Sequence, residues 1–76
     1  MSRKLILLGN IDAAKTLVSM AETCDFDIDL DYGNIRVDAK SIIGVLSLDL
    51  KKPWNISYDG TNDALEGFIN EHLAAS

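Results

Sequence analysis

Ser41 is the residue best placed to carry chemistry. It stands directly before Ile42-Ile43-Gly44-Val45-Leu46-Ser47-Leu48, a short apolar stretch. A serine in front of such a run is a helix N-cap, its oxygen taking an otherwise unpaired backbone N–H. That role is compatible with phosphorylation, because a phosphate there meets free N–H groups and the positive end of the helix dipole. Other residues of suitable type read as structural. Asp25, Asp27, Asp29 and Asp31 suggest calcium, but an EF-hand loop needs glycine at its sixth position and glutamate at its twelfth. Here those positions hold Leu30 and Arg36. The four aspartates alternate with Phe26, Ile28 and Leu30, as on the wet face of a strand, with Arg36 and Lys52 to neutralise part of the charge. His72 follows Ile69 and Phe68 by three and four residues, with no acid or base set beside it by a motif, and reads as a structural or surface histidine. Cys24 adjoins Asp25, whose charge discourages a thiolate. Trp54 and Tyr58 share a strand face and read as core.

One cysteine and one histidine rule out both an internal disulfide and a Cys/His zinc site. No catalytic residue, metal or cofactor is expected, and the chain is read as a non-enzyme. Seven basic against twelve acidic residues give a net charge of −5. The basic residues are scattered, which argues against nucleic acid as a partner. The longest pure apolar run is Leu5-Ile6-Leu7-Leu8, far short of the ~18 residues that span a bilayer and too short for a signal peptide. A soluble, cytoplasmic chain without membrane contact is expected, with residues 1–76 forming a single domain.

These residues need elements to position them. Arg3–Leu8 reads as a strand broken by Gly9-Asn10. Ala14, Leu17, Val18 and Ala21 then fall on one helix face, in a helix running from Ala13 to near Thr23-Cys24 and capped by Asn10 or Asp12. Asp25–Asp31 and Ile35–Ala39 alternate about Tyr32-Gly33-Asn34 as a β-hairpin. Ser41 starts one or two helical turns, with Val45 and Leu48 inward and Ile42, Ile43 and Leu46 at least partly outward. Trp54–Tyr58 forms a fourth strand. A last helix follows from about Asn62, capped by Thr61 or Asn62, with Leu65, Phe68, Ile69 and Leu73 on its apolar side. Strands with one wet face leave the other for the helices. The expectation is an α+β open-faced two-layer sandwich: a four-stranded antiparallel sheet with three helices on one face, in the order β-α-β-β-α-β-α.

That order, together with Lys40-Ser41-Ile42-Ile43-Gly44-Val45-Leu46-Ser47-Leu48, resembles HPr, the histidine phosphocarrier of the bacterial sugar phosphotransferase system. The block is similar to the family's K-S-I-M-G-V-M-S-L signature around its regulatory serine. Ile28–Tyr32 and Val37–Lys40 match the family hairpin in register, and Asp59-Gly60 with Asp63-Ala64-Leu65 looks like its final turn and helix. The resemblance runs without a gap from about Asn10 to Leu48 and more loosely to Leu73. The family's H-A-R-P-A motif falls on Asn10-Ile11-Asp12-Ala13-Ala14. Asn10 therefore stands where the acceptor histidine would be, Asp12 where the phosphate-clamping arginine would be, and Ala13 where the proline would be. The strand-to-helix loop is about five residues shorter than the family's. Asparagine has no nitrogen able to carry a phosphoryl group as imidazole does, and Asp12 would repel the phosphate that arginine grips.

The resemblance implies a kinase site at Ser41, whose phospho-form docks on a transcription factor. It also implies a partner surface at Ile42, Ile43 and Leu46 for enzyme I-like proteins or that factor, since exposed apolar clusters mark contacts. The expectation is a non-catalytic regulatory or adaptor protein, with HPr kinase among its partners. The same patch could serve a homodimer. The alternative is a phosphocarrier with an unorthodox acceptor, His72 or Ser41.

Overall fold

The chain is described by a computed structural model over residues 1–74. Its elements follow in the order β1 (Ser2–Ile6), α1 (Ile11–Glu22), β2 (Ile28–Tyr32), β3 (Ile35–Asp38), α2 (Ile42–Leu46), β4 (Trp54–Tyr58) and α3 (Asp63–Glu71). The sheet is antiparallel throughout, in the spatial order β1-β4-β2-β3. The registers set Ile6 against Trp54, Leu30 against Ile56 and Ile28 against Tyr58. These side chains are buried and share a core with Leu17, Val18, Val45, Leu65, Phe68 and Ile69 from the helices. The expected open-faced sandwich is the observed fold.

Each helix starts where a side chain can accept the first free N–H. Asn10 caps α1 through Ala13 N at 2.8 Å, Ser41 caps α2 through Gly44 N at 3.2 Å, and Asn62 caps α3 through Leu65 N at 2.9 Å. The β2–β3 hairpin turns on Gly33-Asn34 alone, with Gly33 at φ +60. A glycine at positive φ in the first central position is what a type II′ turn requires.

Several boundaries differ from the sequence reading. Strand β1 ends at Ile6, and Leu8 is still buried in the same phase; the chain is diverted at Gly9, which has φ +84 and donates its N–H to Leu50 O at 2.8 Å. Helix α1 begins at Ile11, two residues earlier than expected, because Asn10 is the cap. Strand β2 starts at Ile28, so Asp25 and Phe26 form a bend and Asp27 stays outside the strand despite their perfect alternation. Phe26 leaves the strand path to stack on Tyr58, ring centroids 6.1 Å apart. Only Asp29 and Asp31 thus sit on the strand. Arg36 neutralises Asp29 at 2.7 Å, and Arg3 takes Asp31 at 2.9 Å in the role expected of Lys52. Strand β3 stops at Asp38, whose carboxylate accepts Lys40 N at 2.8 Å. Leu73 lies beyond α3, half-exposed, bridged to Ile6 instead of packed on the helix's apolar side.

Candidate functional site

Helices α1 and α2 pack on one another, and their two caps define the candidate site. Asn10 is extended (φ −154, ψ 169), and its amide oxygen is committed to Ala13 N. Asp12 is exposed in the first turn of α1, and Ala13 is half-buried behind it. The strand-to-helix connection is four residues, Leu7 to Asn10. A neutral amide beside a carboxylate offers neither a nucleophile nor a cation to a phosphoryl group.

Ser41 is exposed and precedes α2 in extended conformation (φ −99, ψ 108). Gly44 makes this cap fit: a Cβ there would lie 3.3 Å from Ser41 Oγ and 3.4 Å from Val37 Cβ. Val45 and Leu48 point into the core as their spacing required, while Ile42, Ile43 and Leu46 face outward, Ile43 at 82% exposure. Lys40 is the contributor that sequence reasoning passed over. Its Nζ donates to Cys24 O at 3.0 Å, tying the end of α1 to the residue before Ser41. Its place at the head of the Lys40–Leu48 block was the available signal. Cys24 itself is a buried free thiol, and Trp54 and Tyr58 are buried.

His72 is held structurally. Its ring stacks on Phe68 with centroids 4.0 Å apart, Nδ1 lies 2.8 Å from Phe68 O, and its carbonyl accepts Leu7 N at 2.8 Å. His72 is far from Asp12 in the sequence but not in the fold. The ring lines a groove of about 370 Å³ between α1 and α3, shared with Asp12, Ala13 and Glu71. Two carboxylates in that lining disfavour an anion.

A family model described as "PTS HPr component phosphorylation site" matches residues 10–68. The chain belongs to the HPr family. A crystal structure of HPr-C-His from Thermoanaerobacter tengcongensis superposes with a TM-score of 0.73 at 23% identity, over 93% of this chain and 89% of that one. That likeness establishes the HPr fold. Residues 10–68 contain no histidine, His72 being the only one in the sequence. HPr proteins are phosphocarriers that work through protein partners of the phosphotransferase system, such as enzyme I. No helix among the described residues is long and apolar enough to cross a membrane.

Proposed function

We propose that this HPr-family chain is a cytoplasmic regulatory or adaptor protein, working through the Ser41–Leu48 segment and carrying no phosphate at position 10. The observation that carries the reading is the first turn of α1. Asn10 spends its amide oxygen on the helix cap, and the adjacent charge is the Asp12 carboxylate. Ser41 supports the regulatory half of the proposal. Its hydroxyl is exposed, and a phosphate on it would point at the free N–H groups of α2. Ile42, Ile43 and Leu46 give the partner an apolar surface beside it.

The test has two arms on purified protein. Incubation with ATP and an HPr kinase adds one phosphate by intact mass, and Ser41→Ala abolishes the gain. Incubation with phosphorylated enzyme I transfers no label, beside an ordinary HPr that is fully labelled. Transfer from enzyme I, or an unmodified Ser41, would sink the corresponding half.

The shared groove of His72 and Asp12 gives the second reading, an acceptor histidine at the end of α3, its one structural footing. If label is transferred and His72→Ala removes it, that reading replaces the first.

A further inference from the structure

Strand β3 stands at one edge of this sheet, uncovered among the described residues. On the opposite side, residues 72–74 run along β1, with Leu7 N donating to His72 O at 2.8 Å and Ala74 N to Leu5 O at 2.9 Å. Nothing comparable flanks β3 among the described residues. The hairpin fixes which of its backbone groups point out. Tyr32 faces Ile35 across a two-residue turn, Leu30 faces Val37, and Ala39 N donates to Ile28 O at 2.8 Å in the same phase. Ile35, Val37 and Ala39 therefore turn their backbone groups toward β2, and Arg36 and Asp38 turn theirs to solvent. Among the described residues, only the Asp38 carbonyl of those four outward groups has a backbone partner, Ser41 N at 3.0 Å.

The side chains of this edge are self-complementary. We propose that β3 pairs with β3 of a second copy of this chain, antiparallel about a two-fold axis at Val37. In that register Arg36 stands directly opposite Asp38 of the second copy, and the pair occurs twice. The same two residues exchange N–H···O bonds, the Asp38 carbonyl accepting Arg36 N–H of the second copy on the lone pair that Ser41 N leaves free. Sliding the axis to Arg36 sets arginine against arginine, and sliding it to Asp38 sets aspartate against aspartate. A one-residue slip puts side chains of opposite faces together. Charge thus selects one register.

The helix layer adds apolar area on the same side. Ile35 and Tyr32 are each more than half exposed. In the Val37 register Ile35 faces Ala39 of the second copy, beside the start of its α2. Gly44 of α2 lies close to Val37, and its neighbour Ile43 is largely exposed. A ladder this short, joining two chains of net charge −5, makes a weak, concentration-dependent dimer.

Sedimentation equilibrium over a concentration series reaching about 1 mM tests the association. A monomer–dimer equilibrium is expected. Arg36→Glu or Asp38→Lys each weakens it about tenfold by opposing like charges at both pairs. Arg36→Glu combined with Asp38→Lys restores it. Thermal melts confirm that each variant is folded, because Arg36→Glu also loses the Asp29 ion pair.

A second arm does not depend on charge. Val37→Cys places two thiols across a non-hydrogen-bonded pair, where Cα atoms lie ~4.5 Å apart and within disulfide reach. Mild oxidation then links it much faster than Ser19→Cys on the exposed side of α1. A chain monomeric throughout the series overturns the proposal. So does a dimer that the double swap fails to restore, or equal crosslinking at the two cysteines.

Discussion

A methyl group at residue 60 would run into the Phe26 ring, so the glycine after Asp59 is set by packing. Phe26 in turn stacks on Tyr58, and moving one ring disturbs the other. Gly60→Ala is expected to cost about 1–3 kcal/mol as an overpacking substitution, read from a denaturant midpoint at unchanged slope. Tyr58 also carries a titration signature. Its hydroxyl donates to Glu66, which Lys4 Nζ also contacts at 3.4 Å. Burial, followed by that hydrogen bond and the Glu66 charge, pushes the phenol up to about 12. The folded state therefore keeps the phenol's proton where the unfolded chain, at about 10, gives it up. This contribution is intact below pH 10 and is lost as the pH rises toward 12. Wild type should lose roughly 2 kcal/mol over that window relative to Tyr58→Phe, measured by urea unfolding at several alkaline pH values.

At the scale of elements, the three helices depend on three short polar side chains. Asn10→Ala and Ser41→Ala should each cost about 1 kcal/mol, because each orphans a first-turn N–H. Asn10→Asp should keep the α1 cap, which a melting series over the three variants would check. If Asn10→Asp melted like Asn10→Ala, the cap would not be the reason for an oxygen-bearing side chain there. The caps and the hydrophobic spacing were legible in the sequence because each is a local rule. Ser41 could be named outright from its neighbours in the chain, and Asn10 and Asn62 each as one of two candidates, beside Asp12 and Thr61. The start of β2 was not legible. Asp25-Phe26-Asp27 continues the alternation without fault, and only the distant Gly60 and Tyr58 draw the Phe26 ring off the strand line. The end of β1 was hidden for the same reason, since the partner that diverts Gly9 is Leu50. The candidate site divides along the same line. Ser41 and the outward face of α2 follow from local spacing, whereas the Lys40 tie to Cys24 O and the nearness of His72 to Asp12 exist only in the folded chain.

Across the whole molecule, α2 divides its side chains between core and surface within five residues. Val45→Asp would strand a charge in the shared core and should cost about 4 kcal/mol or more. Ile43→Asp should leave the melting temperature within error while weakening any partner that uses the patch. Parallel calorimetry and binding measurements on the two variants separate the roles, and a large stability loss in Ile43→Asp would place that residue in the core instead. The segment after α3 has a consequence of a different kind. By lying along Leu5 and Leu7 it occupies backbone groups that would otherwise offer a second docking edge. A sheet open at both ends can add molecules without limit, as fibrils do. This one has a stopper fitted at one end, so the pairing proposed for β3 would terminate after a single addition.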